Sequence, residues 1–276
     1  LPRHRLMADD IPPTRTGNCG PLPESDKTKM TATNINARFE RIYATDLVYV
    51  SDCWKLCGDA HCCSFARYKS NFKMIARTPF QELPLLPGEY DFLASKGWLE
   101  QFGDHDHKVV DFEVGKHTIH AESIVSRRMN CACNHDTRPT ICRLYPLLPV
   151  FETSGRLIST EAMGIYEEME ASAKLDPVCQ ISSLPLAETN KFLAIADAIS
   201  STPEHLFYIE AYRMTKRHVA DRLAKKYEAT EGRSIFTVFE TGMLRRNLID
   251  TDQLRAELGK LIVRFEQHYG AAFKLN

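Results

Sequence analysis

Seven of the nine cysteines in this 276-residue chain fall into two short stretches, and that clustering limits what the chain can be built around. The first stretch reads Cys53-Trp-Lys-Leu-Cys57-Gly-Asp-Ala-His-Cys62-Cys63. The second reads Cys131-Ala-Cys133-Asn-His-Asp-Thr-Arg-Pro-Thr-Ile-Cys142-Arg-Leu-Tyr-Pro146. Cys179, in Asp-Pro-Val-Cys-Gln, follows a proline turn and makes an eighth candidate. Cys19 lies apart beside Gly20 and reads as a spare thiol. Thiolates are ligands for soft and borderline metals, and zinc and iron–sulfur sites commonly take four of them. A loop must wrap the metal, so ligands come in close groups separated by small residues. Gly58, Ala60 and Ala132 meet that need.

Disulfides fit this pattern less well. Disulfide scaffolds are usually short and secreted, whereas this chain is long, has an odd cysteine count, and carries 43 % hydrophobic residues, enough for a core. The basic stretch Leu1 to Leu6 is followed by no apolar run, so it is not read as a secretory signal. The formal net charge of −1 provides no bulk field to attract nucleic acid or an anionic membrane. No apolar run approaches the ~20 residues of a spanning helix. The expected location is the cytoplasm, with neither nucleic acid nor membrane as partner.

Eight thiolates allow two four-thiolate sites, or one site and free thiols. Neighbouring side chains in extended backbone point opposite ways. Cys62 and Cys63 would therefore serve different metals, or one of them would be a buried, inert thiol. The expected metal group is an iron–sulfur cluster, with a four-iron cluster as one form that four cysteines can hold, and zinc is the alternative.

Residues 1–30, rich in Pro, Thr, Asp and Lys, read as a flexible arm. Residues 31–185 read as a cysteine-rich metal-binding domain, and 186–276 as a helical region. The predicted fold class is α+β, a cysteine-ligated metal core with short hairpins and a helical C-terminal region. Ile35, Phe39 and Ile42 predict a helix over about 34–44. Pro84 and Pro87 are read as chain breaks, and Pro87-Gly88-Glu89 as a turn into a helix. Val109 to Val114, then Gly115-Lys116, then Thr118 to Ile124 predict a hairpin, and Leu147 to Ile158 a second one around Gly155. Thr202-Pro203, Ser234 and Thr251 each start a predicted helix.

Three pieces together resemble a known family. They are Cys53-x3-Cys57-x4-Cys62-Cys63, the Pro87-Gly88-Glu89 turn, and Arg138-Pro139-x2-Cys142-Arg143-x-Tyr145-Pro146 with Cys131 and Cys133 before it and Cys179 after it. The pattern is similar to the zinc- or iron-chelating domain family of the CxxCxxCC type. The resemblance implies a cysteine-bound metal or iron–sulfur cluster, and the family includes flagellin lysine N-methylases. Around such a site, Arg138 and Arg143 would offset thiolate charge or bond a carboxylate such as Glu89, in a supporting structural role. Tyr145 is read as packing.

Other groups carry less chemistry. Asp104-His105-Asp106-His107 reads as a solvated loop, and His117 and His120 as opposite faces of a strand. His61 and His135, inside the cysteine stretches, are substitutes for a thiolate. Glu161, Glu167, Glu168 and Glu170 read as the wet face of a short helix, and Lys216, Arg217 and His218 as a charged helix face. There is no Gly-rich phosphate loop, no GxSxG, and no CxxxCxxC of the radical enzymes. The expected function is that of an iron–sulfur enzyme or redox component acting on a small molecule or protein side chain. A non-catalytic zinc-stapled interaction protein and a protein-lysine N-methyltransferase are the alternatives. The last requires S-adenosylmethionine, for which no binding loop is evident.

Overall fold

Ile35, Phe39 and Ile42 recur at helical spacing, and they lie on one side of helix α1, Ala32–Ala44, with Phe39 and Ile42 fully buried. This helix opens a computed structural model that describes residues 32–49, 71–73, 81–127, 134–174 and 184–275. Helices and strands are mixed along the chain, and the protein is α+β.

Strand β1, Gln81–Leu85, alternates in burial, with Gln81, Leu83 and Leu85 inside. The expected break at Pro84 is corrected here. Pro84 stands opposite Ser123 at the edge of a three-stranded antiparallel sheet of order β1-β3-β2. An edge strand tolerates a missing N–H, which a central strand does not. The chain then turns through Gly88, whose φ of 79° is a left-handed conformation that favours glycine, into helix α2, Glu89–Ser95. A 3₁₀ turn, Trp98–Phe102, leads to the hairpin of β2, His105–Val114, and β3, His117–Ser126.

The hairpin is longer than its apolar alternation predicts. His105, Asp106 and His107 lie within β2 rather than in a loop, opposite Ser126, Val125 and Ile124. Tertiary contacts hold them there. The His107 ring stacks flat on Tyr90 at 3.7 Å and its Nε2 lies 3.1 Å from Glu122.

Helix α3, Thr140–Leu144, precedes a second hairpin, β4 Leu147–Phe151 and β5 Leu157–Ala162, and helix α4, Ile165–Ser172. The C-terminal region is helical as expected: α5 Leu186–Ser200, α6 Pro203–Glu228, α7 Ile235–Leu244 and α8 Thr251–Tyr269. Ser234 caps α7 by accepting from Thr237 N–H at 3.3 Å. The cap of α8 is Asp250, not Thr251: its carboxylate accepts from Gln253 N–H at 3.1 Å, and Thr251 is the first helical residue. Thr202 takes the position before Pro203, but its side chain makes no capping bond.

One apolar cluster draws from both sides of residue 185. Phe39, Phe92, Phe102 and Ile124 share it with Phe192, Phe207, Leu258 and Phe265. Aromatic edges interlock in it, as where Phe207 meets Phe265 at 5.4 Å and 84°. A smaller cluster joins Phe72 and Met169 to Phe236 and Phe239 of α7. No helix among the described residues is long and apolar enough to cross a membrane.

Candidate metal centre

Helix α3 is only five residues long, too short to hold itself together, so its stability must come from what surrounds it. Thr140, Ile141, Arg143 and Leu144 are buried, and Cys142 alone is half-buried, carrying a free thiol. The sequence around it thus delivers one thiol at the surface of a clamped helix.

Two buried groups clamp it. The first is Glu89, at the start of α2 and fully buried. Its carboxylate accepts from Thr140 Oγ1 at 2.6 Å, Thr140 N–H at 2.7 Å, Tyr43 Oη at 2.8 Å and Leu86 N–H at 2.9 Å. Burial pushes the Glu89 carboxyl above its ordinary pKa, and those four bonds pull it back. Burial likewise pushes the Tyr43 hydroxyl far up, with the Glu89 charge adding to it. The second clamp is Arg143, 1 % exposed. Its guanidinium donates to the backbone carbonyls of Arg138 at 3.1 Å, Thr45 at 3.2 Å and Asp136, and lies 4.6 Å over the Tyr43 ring.

The supporting role expected of Arg138, Arg143 and Glu89 therefore takes a different form. Neither arginine pairs with Glu89; both bind backbone carbonyls, Arg138 reaching Leu47 at 2.7 Å. A guanidinium carries five donors in a fork, so it can cross-link several chain segments where a carboxylate partner would engage one. Tyr145, expected to pack, does so against the main core and also donates its hydroxyl to Glu167.

These bonds draw together the described ends of the cysteine-bearing segments. Residues 45–49 lead toward Cys53. They are bound to the α3 region by Arg143 and Arg138, and by Tyr49 Oη, which donates to Leu144 O at 2.7 Å. Val48 N–H also donates to Glu188 at 2.9 Å, near the start of α5 and just beyond the Cys179 segment. Asn134, next to Cys133 in sequence, receives its fix from Gln101, whose side-chain oxygen accepts its N–H at 2.8 Å. His135 follows, its Nδ1 3.9 Å from Asp46 and 3.5 Å from Asp136. Burial and the nearby Arg138 charge lower the His135 pKa. Asp46, His135 and Asp136 form a compact oxygen–nitrogen group, but Arg138 beside it opposes a cation.

Cys53, Cys57, Cys62, Cys63, Cys131, Cys133 and Cys179 lie outside the described residues, as do Cys19 and His61. Among the sequence candidates, Cys142, Arg138, Arg143, Glu89 and Tyr145 are described, and Arg138, Arg143 and Glu89 brace the Cys142 helix. Tyr43 and Thr140 were not anticipated. An isolated Tyr and Thr carry no motif; only the buried carboxylate between them gives them a use.

Two further readings are corrected. Glu161 lies in β5 rather than in a helix, facing Lys216 Nζ at 3.1 Å and Arg217 at 3.1 Å, and Glu170 is 3 % exposed. Lys216 and His218 are buried on α6, which leaves Arg217 as the exposed one of the three. Lys216 also donates to Ala162 O and lies near Glu168, so three oxygens replace its lost water. A groove of about 560 Å³ between α6 and α8 runs past Arg217 and His218; of its cations, Arg213, Arg217 and Arg222 are paired with Glu210, Glu161 and Asp250, and Lys225, Lys226 and Arg264 also line it. Comparison with protein-family models, with curated proteins and with solved structures gives no match to this chain.

Proposed function

We propose that the chain holds a metal group through its clustered cysteines, Cys142 among them, as an iron–sulfur cluster. The observation that carries this reading is that hydrogen bonds link the described ends of separate segments, each leading to a cysteine group: residues 45–49 are tied to the α3 region, and Val48 in turn to Glu188 of α5. Cys53 is four residues past Tyr49, Cys133 adjoins Asn134, and Cys179 is five residues before Leu184. Metal binding free energy becomes folding free energy when ligands come from separate segments. Residues that tie those segments together beforehand lower the cost of closing the site.

The donor chemistry fits the group. Cys142 is a half-buried thiol, and the next residue, Arg143, carries a guanidinium. Positive charge and hydrogen-bond donors near sulfur tune the potential of a cluster. Bound there, the cluster would supply electron transfer or Lewis acidity toward a small molecule or a protein side chain. The chain's own residues orient the thiol: Glu89 holds the N-terminal end of α3 through Thr140, and Arg143 holds the rest.

Anaerobically purified protein is expected to be brown, with iron and acid-labile sulfide in similar amounts. Cys142→Ser should lose most of both while keeping its far-ultraviolet dichroism, and Cys19→Ser should keep them. Stoichiometric zinc without labile sulfide would end the iron–sulfur reading and put a zinc-stapled interaction protein in its place. Metal-free protein with an unaltered melting temperature would end both.

A further inference from the structure

The two edges of the three-stranded sheet are not alike. The β1 edge is short and carries Pro84, a residue that blunts edges. The β2 edge is ten residues long, contains no proline, and is exposed along its middle, with Val109 48 % and Val110 46 % exposed. No described strand pairs with it.

The direction of its backbone groups follows from the hairpin. Val114 and His117 close a two-residue turn, and Gly115 at the first turn position has a φ of 61°, as a type II′ turn requires. In such a turn the closing pair exchanges both hydrogen bonds, and the pattern then alternates along the ladder. Val114, Phe112, Val110 and Lys108 therefore bond to β3, while Glu113, Asp111, Val109 and His107 turn their N–H and C=O outward. The carbonyl of Glu113 bears this out: it accepts from Arg255 Nε of α8 at 3.2 Å, from outside the hairpin. With that end engaged, the open row runs from His105 to Asp111.

We infer that this row binds the same row of a second copy, antiparallel across a two-fold axis at Val109, making one six-stranded sheet of order β1-β3-β2-β2-β3-β1. Three considerations select that occupant and register. Outward groups must face outward groups, so the axis passes through a residue and not between two. An axis at His107 would set two imidazoles opposite each other, one at Lys108 two ammonium groups, one at Asp111 two carboxylates, and one at Val110 needs Glu113, which Arg255 occupies. An axis at Val109 sets His107 against Asp111 of the partner and Asp111 against its His107, with the exposed valines meeting at the centre. The pairing gives each copy the same imidazole–carboxylate neighbours, added to the Glu122 and His120 that already lie against His107 and Asp111 within the chain, and an unrelated peptide would have to match that row by chance.

Sedimentation of the full chain from low to several hundred micromolar is expected to show a monomer–dimer equilibrium. Val109→Pro is the decisive variant. It removes an outward N–H and leaves the β2–β3 ladder its bonds, so it should abolish self-association while the monomer's circular dichroism stays unchanged. Hydrogen exchange should agree: the amides of His107, Val109 and Asp111 gain protection as concentration rises, whereas those of Lys108 and Val110 are protected throughout. A chain that stays monomeric at every concentration overturns the inference. So does a dimer that persists in Val109→Pro, or exchange at Val109 that is independent of concentration.

Discussion

Glu89→Ala is expected to cost about 4 kcal/mol of folding stability, a large part of what an ordinary domain possesses. The reason is the number of donors the carboxylate serves. Thr140 N–H, Thr140 Oγ1, Tyr43 Oη and Leu86 N–H all converge on it inside the protein, and alanine would leave each without an acceptor and out of reach of water. An unsatisfied buried donor costs roughly 1–3 kcal/mol. The hydroxyls of Tyr43 and Thr140 can rotate toward other acceptors, and the two amides cannot. Tyr43→Phe removes one donor and keeps the ring under Arg143, so it should cost about 1 kcal/mol. Urea unfolding followed by fluorescence measures both. A shift in Glu89→Ala no larger than that in Tyr43→Phe would mean that the α2–α3 tie contributes little. Because Thr140 begins the helix that carries Cys142, the same variant should also bind less metal.

The second large effect is a loss of stability in acid that traces to His205. This residue is 1 % exposed, its Nε2 donates to Pro87 O at 2.9 Å, and its Nδ1 is buried without a hydrogen-bond partner. Burial, together with the charge of nearby Arg38, brings its pKa down to about 4. The folded value lies below the unfolded one of about 6.5. Above that pH both states are neutral and the histidine contributes nothing to the pH dependence. As pH falls from about 6.5 to 4, the unfolded chain takes up a proton that the folded chain refuses, and stability drops by roughly 3 kcal/mol in total. His205→Gln cannot titrate and retains an amide donor for Pro87. The difference in stability between wild type and His205→Gln should therefore shrink or reverse in the variant's favour as pH falls through that window. A difference constant from pH 7 to 4 would show that His205 is not the group responsible. Carboxylates such as Glu188 and Asp250, whose pKa values are lowered by hydrogen bonds, respond in both proteins and cancel in the comparison.

What could be read directly in the sequence was whatever is decided within one turn of chain. The spacing of Leu254, Leu258, Leu261, Ile262 and Phe265 places one face of α8 in the core because helical periodicity is local. Gly115 and Gly155 mark their hairpins because their positive φ is a property of the turn itself. The grouping of the cysteines is legible from spacing alone, and Arg138 and Arg143 could be singled out because they lie in the same short stretch as Cys142. The uses of those arginines were not legible. Arg143 reaches the carbonyl of Thr45, 98 residues away in sequence, and no local pattern encodes a backbone acceptor. The same holds for Pro84, which reads as a break until a neighbouring strand makes its position an edge. It holds also for Lys216 and His218, which read as a wet face until β5 and α8 bring up Glu161 and Glu257. A charge is buried or exposed according to what packs over it, and those partners come from far along the chain. The sequence by itself determined the long C-terminal helices, the hairpin turns and the cysteine grouping. Only the tertiary structure decided which polar side chains became internal braces, since desolvation is set by neighbours in space and not by neighbours in the chain.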